Sequence, residues 1–359
     1  TAGNDIFVGD NTQSNGSAGP GDQINGGAGN DTLKLFAAAT ATTLNLPQLK
    51  GVENLYVKGG AAIVDNISTI ADVTAIELDS QTATGTLTLK GTQAATLSNN
   101  TVGQNLVYGA TDIVASVTVN NVTGGAAVDV RGAALATLNL AATGANSAIT
   151  LNNSVGTKLT TLTITGDKNL SVTESLNGLT TVDASAATGN VTLVAAAAVN
   201  DITVTGGKGS DTINLGANFT KADKVNGGDG TDTLELTQAS VTTVNGYTAA
   251  EKIVVNDNLS NLEVLKVTDA LTSNVDASRF DNINSFVFAG GNNAAGTATL
   301  SKVTSGVSVE INADAGLATN VLAVEIIDAT LAGNNSDVVN LKLNDTVVAG
   351  AAAVTDYGV

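Results

Sequence analysis

The stretch Gly21–Leu35, GDQINGGAGNDTLKL, contains two short turn-and-strand steps in direct succession. Its second half, Gly26–Lys34, matches the nine-residue pattern G-G-x-G-x-D-x-U-x, in which U is a large apolar residue. The glycines permit a tight turn that directs backbone carbonyls inward, and the aspartate adds a carboxylate where the turn ends. The x-U-x triplet then forms a short strand, so that Ile24 and Leu33 are both expected to point into a stack of strands.

The same nine-residue pattern occurs in full twice more, at Gly206–Asn214 and Gly227–Glu235, and its second half occurs at Gly3–Phe7. When turns of this kind stack about 4.8 Å apart, carbonyls and carboxylates of neighbouring turns can surround one ion. A flexible shell of six to eight oxygen ligands selects Ca²⁺ over transition metals, and it disfavours Mg²⁺, which demands octahedral geometry. The sequence therefore predicts that several Ca²⁺ ions bind to these turns.

The aspartates of these turns are the candidate ligands, and the alternative for each is a solvated glycine turn capped by its aspartate. Asp5 and Asp211 would need a partner turn across an insertion, whereas Asp10 and Asp229 fit a ligand and a solvated residue equally well. Two pairs on consecutive turns are predicted to share an ion: Asp22 with Asp31, and Asp223 with Asp232.

Alternating apolar residues recur through the middle of the chain at intervals of roughly 8 to 13 residues, which is typical of short strands separated by turns. Threonine and asparagine lie between them, as in Thr160–Thr165, so each strand has one buried and one wet face. Helical periodicity is hard to find. The recurring positions are Leu87/Leu89, Leu97, Leu106, Val117/Val119, Val128/Val130, Leu138/Leu140, Ile149/Leu151, Leu162/Ile164, Leu170/Val172, Val182, Val191/Leu193, Ile202/Val204 and Ile213/Leu215.

This pattern predicts an all-β protein, either a β-solenoid or a set of β-sandwiches. The regular spacing and a core of small residues favour an elongated, β-solenoid-like fold with short Thr/Asn/Val-rich strands: 43% of the 359 residues are hydrophobic, yet only 3% are aromatic. Four regions are predicted: a first calcium cassette with the strands after it (1–80), regular β-repeats (81–200), a second calcium cassette (201–270) and a C-terminal β region (271–359).

Composition excludes several function classes. The chain has no cysteine and no histidine, which removes disulfides, thiolate or imidazole metal sites and most nucleophile–base pairs. A net charge of −18 makes nucleic acid and anionic membranes poor partners and cations good ones. No apolar stretch approaches the roughly 18 residues that a membrane span needs. The start at Thr1 without a signal-peptide pattern indicates a processed product or an excised fragment.

The nonapeptides resemble the RTX repeats of secreted Gram-negative proteins. Each cassette is followed by a similar tail, Gly51–Val57 and Asn261–Val267, and Asn334–Leu341 looks like a degenerate calcium turn that runs into a strand. Sparse cassettes separated by long Thr/Ala/Val-rich regions are similar to calcium-dependent RTX-type surface-layer proteins of the Caulobacter type. Long uninterrupted RTX arrays, which characterise the toxin and protease members, are missing from this chain.

The resemblance implies a secreted subunit with parallel β-helix or RTX β-roll turns. It implies export through a type I secretion channel and lateral self-assembly into a two-dimensional array on the cell surface when Ca²⁺ is present. Cell-surface polysaccharide is a further candidate partner. The implied metal ligands, together with those expected from the spacing, are Asp5, Asp10, Asp22, Gly26, Gly27, Gly29, Asn30, Asp31, Gly206, Gly207, Gly209, Asp211, Asp223, Gly227, Gly228, Gly230, Asp232 and Asp337.

Two other functions compete with the surface layer. An enzyme on a β-solenoid would have to work with carboxylates alone and bind sugars without tryptophan, so catalysis is not expected. A secreted calcium-binding adhesin or biofilm-matrix protein shares the calcium, the secretion and the elongation. An adhesin should also carry a ligand-binding module with more aromatics and mixed charge, and the sequence shows no such change in composition.

Overall fold

The computed structural model describes residues 2–11, 17–156, 158–195, 200–291, 297–312, 321–327 and 337–344. The chain divides into two compact units. Unit 1 consists of Thr1–Leu193 with Ala197–Asn200, and unit 2 consists of Val194–Ala196 with Asp201–Val359. The four predicted regions are a finer division, and they stay a prediction.

Unit 1 consists of short strands that alternate along the chain between parallel sheets. Its strands are β1 (Ile6–Asn11), β2 (Gln23–Asn25), β3 (Thr32–Ala37), β4 (Gln48–Lys50), β5 (Asn54–Gly59), β6 (Val64–Asn66), β7 (Ala75–Asp79), β8 (Gly85–Leu89), β9 (Ala94–Ser98), β10 (Gln104–Tyr108), β11 (Val114–Asn120), β12 (Ala126–Arg131), β13 (Thr137–Ala142), β14 (Ser147–Asn152), β15 (Thr161–Gly166), β16 (Leu170–Glu174), β17 (Thr181–Ala187) and β18 (Val191–Val194). One sheet runs β1-β3-β5-β7-β9-β11-β13-β15-β17, the other runs β6-β8-β10-β12-β14-β16-β18, and β2 pairs with β4.

Each strand pairs with the second strand along the chain, so one coil contributes a strand to each of two sheets. Val117 pairs with Leu140, and Leu138 pairs with Leu162, so the same inward position returns after roughly 20 to 25 residues. The spacing of about ten residues seen in the sequence is therefore half a coil. The predicted β-solenoid is confirmed, and the sandwich alternative is wrong because its strands would pair antiparallel.

The core of unit 1 is a column of aliphatic side chains between the two sheets. Along β11, β13 and β15 the inward residues stack coil upon coil, and Val119, Leu138 and Leu162 are completely buried. Burying one such side chain contributes about 1.5–3 kcal/mol. All the recurring apolar positions predicted from the sequence are buried in the two units.

The exchange Ile164→Val tests this packing, because Ile164 is 1% exposed at the centre of β15. Removing one buried methylene group is expected to lower the free energy of unfolding by about 1 kcal/mol. The matched control is Thr163→Ser, which removes one methyl group from the neighbouring, half-buried residue and should cost less than about 0.5 kcal/mol. Equal losses in chemical denaturation would contradict the inward assignment of Ile164.

Unit 2 repeats the parallel arrangement and adds two helices between β22 and β23. Its elements are β19 (Thr203–Thr205), β20 (Thr212–Gly216), β21 (Lys224–Asn226), β22 (Thr233–Leu236), α1 (Gln238–Asn245), α2 (Ala249–Asn258), β23 (Leu259–Ser260), β24 (Val264–Val267), β25 (Val275–Asp276), a 3₁₀ turn (Ala277–Arg279), β26 (Ser285–Phe288), β27 (Thr297–Val303), β28 (Val307–Ile311), β29 (Val321–Ile326) and β30 (Val339–Leu343). Its sheets are β19-β21-β23, β20-β22-β24-β26-β28-β30 and β25-β27-β29.

The two helices correct the expectation that helical structure would be hard to find. Both begin at a threonine whose hydroxyl accepts a backbone N–H: Thr237 caps α1, and Thr248 forms a capping box with Glu251 at α2. The β-branched residues of α1 favour a strand, so the sequence does not indicate this helix. The T-x-x-E capping pattern at the start of α2 is visible in the sequence. Within the described residues, no helix is long and apolar enough to cross a membrane.

A second correction concerns the first turn-and-strand step of the opening stretch. Leu33 is completely buried as predicted, but Ile24 is only partly buried. The reason is that β2 does not join the main sheets: it pairs only with β4, where Ile24 lies beside Leu49.

Candidate metal sites

In unit 1, the aspartate that ends the glycine turn connects three successive coils through its carboxylate and its backbone N–H. The backbone N–H of Asp5 donates to Oδ1 of Asp31 at 2.7 Å. The backbone N–H of Asp31 donates to Oε2 of Glu53, also at 2.7 Å. One carboxylate in each coil thus accepts the N–H of the coil before it, and we call Asp5, Asp31 and Glu53 the unit 1 stack.

Unit 2 contains the same arrangement about two hundred residues later. The backbone N–H of Asp211 donates to Oδ1 of Asp232 at 2.6 Å, and the backbone N–H of Asp232 donates to Oε2 of Glu263 at 2.8 Å. Asp211, Asp232 and Glu263 form the unit 2 stack. Two independent copies with the same hydrogen bonds indicate that the carboxylate stack is a property of the cassette.

Glu53 and Glu263 were not among the predicted site residues. Parallel register places Asn54 beside Thr32 and Val264 beside Thr233, which sets each glutamate level with the preceding aspartate. A signal was present in the tails: a carboxylate stands two residues before the inward leucine there, just as it does in the nonapeptide.

Among the residues that the structure describes, each stack contains one buried carboxylate oxygen that accepts no hydrogen bond. Asp31 is 0% exposed and Asp232 is 1% exposed, and the Oδ2 atoms of both are buried without a hydrogen bond. A buried charged oxygen left unpaired is costly, and the cost is removed when a cation binds to it. The same orphaned atom at the same place in two units is the strongest structural indication of a metal site.

Glycine leaves an oxygen-lined cradle beside each orphaned atom. A Cβ at Gly26 would lie 1.9 Å from the carbonyl oxygen of Gly51 and 2.3 Å from Asp31 Oδ2. At Gly227, the corresponding distances are 1.9 Å to the carbonyl oxygen of Asn261 and 2.6 Å to Asp232 Oδ2. No side chain fits at either position. Each glycine therefore lets a backbone carbonyl of the next coil and a carboxylate approach one another. Carbonyl and carboxylate oxygens are the hard donors that suit Ca²⁺.

The electrostatics of the unit 2 stack also favour a cation. Burial, together with the negative charges of Asp211, Glu263 and Asp229, raises the pKa of Asp232 to about 6, and the backbone N–H donated by Asp211 acts in the opposite direction. At neutral pH the site therefore holds several negative charges, of which those of Asp211 and Asp232 are buried. A bound divalent cation would neutralise them.

Asp22 is predicted to share an ion with Asp31, and Asp223 with Asp232. The hydrogen bonds of Asp22 and Asp223 lead to other groups. Asp22 Oδ2 accepts the backbone N–H of Gly19 at 2.8 Å, and Asp223 Oδ2 accepts that of Thr220 at 2.6 Å. Both carboxylates therefore close their own turn, three residues after the donor, and Asp223 Oδ1 also accepts the backbone N–H of Ile202 from the preceding coil at 2.7 Å. Asp112 makes the same bond with the N–H of Gly109 at 2.8 Å, outside any glycine motif. Burial raises the pKa of Asp223, and the negative charge of Asp201 acts in the same direction.

The other predicted residues lie around the stacks or apart from them. Gly207 donates its N–H to Asp211 Oδ2 at 2.6 Å, and Asn30 accepts a hydrogen bond from the Asn54 amide at 2.7 Å. Asp10 is exposed, and its backbone N–H donates to Ser17 Oγ. Asp337 is partly buried just before β30, and the rest of its proposed turn, 334–336, lies outside the described residues. Gly27, Gly29, Gly206, Gly209, Gly228 and Gly230 belong to the glycine turns.

Carboxylates alone do not complete a metal site here. Within the described residues, no group of three or more acidic, histidine or cysteine side chains is arranged to hold an ion. The remaining ligands would have to be backbone carbonyls of the glycine turns, which is the donor set that the glycine spacing predicts.

Comparison with known proteins adds no relative to this picture. The chain matches no protein-family model, and neither the curated proteins nor the solved structures include a significant match to it.

Proposed function

We propose that this chain is a calcium-dependent structural protein and a subunit of a bacterial surface layer. The observation that carries the proposal is the orphaned, fully buried carboxylate oxygen that recurs beside a glycine cradle in both units, on Asp31 and on Asp232. The donors at both places are oxygen atoms alone, and the local charge is negative. Both properties fit Ca²⁺.

Calcium would act by holding successive coils together. The residues that would hold it are Asp31 in unit 1 and Asp232 in unit 2, with carbonyls of the adjoining glycine turns. A bound Ca²⁺ supplies positive charge that offsets the repulsion between the stacked carboxylates. Because the oxygens converge only when the coils are stacked, metal binding and folding are linked, and extracellular calcium stabilises the folded chain.

A secreted structural role follows from this linkage. A chain that millimolar Ca²⁺ stabilises is less stable in the calcium-poor cytosol and more rigid outside the cell, which suits type I export. In the proposed array the partner is a second copy of the chain, and neither nucleic acid nor membrane insertion is involved. The outward threonines and asparagines of the sheets offer hydrogen-bonding faces for such contacts, and cell-surface polysaccharide is a further proposed partner. No catalytic role is proposed.

Electron microscopy of the protein with and without Ca²⁺ tests the proposal. We expect ordered two-dimensional sheets in millimolar Ca²⁺, which is on the order of the extracellular concentration. After chelation we expect dispersed, unassembled chains. Magnesium at the same concentration is the control and should not replace calcium. Isolated particles in calcium, with intact calcium binding, would favour the secreted adhesin or biofilm-matrix protein instead. Assembly that persists after chelation would contradict the proposed role of calcium.

A further inference from the structure

The candidate calcium sites of the two units contain equivalent carboxylate stacks, but they differ at the tip of the glycine turn. In unit 2 the turn reads Gly-Gly-Asp-Gly and carries Asp229, whereas in unit 1 it reads Gly-Gly-Ala-Gly and carries Ala28 at the same place. Asp229 is exposed at its tip, and its backbone N–H donates to the carbonyl oxygen of Gly207 at 3.0 Å, which holds it on the turn below. Unit 2 therefore carries one more carboxylate on the glycine turn that ends at Asp232.

The turns beneath the two sites differ as well. In unit 2 a complete glycine turn lies below: a Cβ at Gly228 would be 2.2 Å from the carbonyl oxygen of Gly207, and one at Gly230 would be 2.3 Å from that of Gly209. In unit 1 only half a motif lies below, and the corresponding approach is that of the Gly3 carbonyl oxygen to Gly29, at 2.5 Å. A complete glycine turn therefore packs beneath the turn of the unit 2 site, and half of one packs beneath that of unit 1.

The carboxylates below the sites differ in burial and in surroundings. Asp211 is 1% exposed, and its Oδ2 converges with the carbonyl oxygen of Gly227 on Gly206, where a Cβ would lie 2.8 Å and 1.8 Å from the two atoms. This second cradle resembles the one at Gly227, except that here Oδ2 accepts the backbone N–H of Gly207 at 2.6 Å. Asp5, the equivalent residue of unit 1, is only partly buried. Unit 2 thus contains two consecutive cradles, and the described part of unit 1 shows one at its stack.

We propose that the two units bind calcium in a fixed order, with unit 2 occupied at a lower Ca²⁺ concentration than unit 1, and that Asp229 and Ala28 set this order. The proposal rests on the proposed calcium function of the stacks. Calcium affinity in oxygen-ligand sites rises with the number of charged ligands and with the rigidity of the site, and unit 2 exceeds unit 1 in both. The chain would then respond to rising calcium in two steps.

Calorimetric titration of the metal-free, full-length protein with Ca²⁺ tests the order. We expect two binding phases, and Asp232→Asn should remove the tighter one while Asp31→Asn removes the weaker one. Asp229→Asn keeps the shape of the side chain and should shift the tighter phase to roughly five- to tenfold higher calcium. Ala28→Asp should shift the weaker phase by a similar factor to lower calcium. Ala28→Asn is the matched control and should leave it unchanged.

Thermal melting of the same variants in chelator provides a reading that does not depend on binding heats. Positions 28 and 229 are exposed, so these exchanges should leave the metal-free melting temperature close to that of the parent chain. A single phase with equal affinity in both units, or phases that do not move in Asp229→Asn and Ala28→Asp, would overturn the ordered filling and leave calcium binding intact. An absence of any calcium binding would instead overturn the proposed function itself.

Discussion

Removal of calcium is expected to lower the melting temperature of each unit by roughly 5–10 °C. A site that is saturated a hundredfold above its dissociation constant contributes about 2.7 kcal/mol to the stability of the folded state. Unit 1 has one such site at Asp31 and unit 2 has one at Asp232, and each kcal/mol moves the midpoint by about 2–4 °C in a domain of 150 to 250 residues, which is the size of either unit. The measurement is far-ultraviolet circular dichroism during heating, in Ca²⁺ and in chelator.

The control for this experiment is the double variant Asp31→Asn with Asp232→Asn, which removes the charge of both orphaned oxygens. Its melting temperature should no longer depend strongly on calcium. Magnesium should not restore the melting temperature of the metal-free parent protein, because Mg²⁺ gives up its water ligands reluctantly. A parent protein that melts at the same temperature in calcium and in chelator would contradict calcium-dependent folding.

The exchange Asp232→Asn is expected to change the sign of its effect with calcium. Without the metal, the raised pKa of Asp232, about 6, means that folding buries a charge that the unfolded chain leaves in water. This penalty is absent below the unfolded pKa of 3.8, grows between pH 4 and 6, and reaches about 3 kcal/mol above the folded pKa. Asparagine carries no charge, and its Oδ1 can still accept the N–H of Asp211.

In chelator at pH 7.5, Asp232→Asn should therefore be more stable than the parent protein, by up to about 3 kcal/mol. At calcium a thousandfold above the dissociation constant, binding adds about 4.1 kcal/mol to the parent protein and nothing at this site to the variant, so the variant should then be less stable by about 1 kcal/mol. Chemical denaturation at both conditions gives the two differences. Asp22→Asn is the matched control: Asp22 is exposed and closes its own turn, so its exchange should show no reversal of sign. Destabilisation of Asp232→Asn in both conditions would contradict the electrostatic account.

Much of the fold could be predicted because a solenoid repeats one local rule. Leu138, Leu162 and Val182 follow each other in register on successive coils, and each also stands in a local alternation that is visible without the structure. The sequence could not show whether the spacing of about ten residues is half of a coil or a complete coil. That distinction depends on parallel pairing of every second strand, which is a long-range property.

The helices show where local patterns mislead. Val241 and Val244 of α1 are both buried, and the β-branched character of this segment points to a strand. The cap at Thr237 and the packing of the helix override that propensity. The Thr237 side chain accepts the backbone N–H of Ser240, which in a strand would donate to a neighbouring strand.

The sequence by itself determined the elements of the candidate sites: the glycine turns, the aspartates Asp31 and Asp232 that end them, and the inward residue two positions later. These are local features, since they depend on residues within nine positions of each other. Only the tertiary structure decided which carboxylates meet. Parallel register sets Glu53 beside Asp31 and Glu263 beside Asp232, whereas Asp22 closes a turn of its own and Asp223 closes its turn and also accepts the N–H of Ile202 from the preceding coil. The physical reason is that a solenoid brings together residues one full coil apart, so that neighbours in the chain point elsewhere while residues about 20 to 30 positions away share a site.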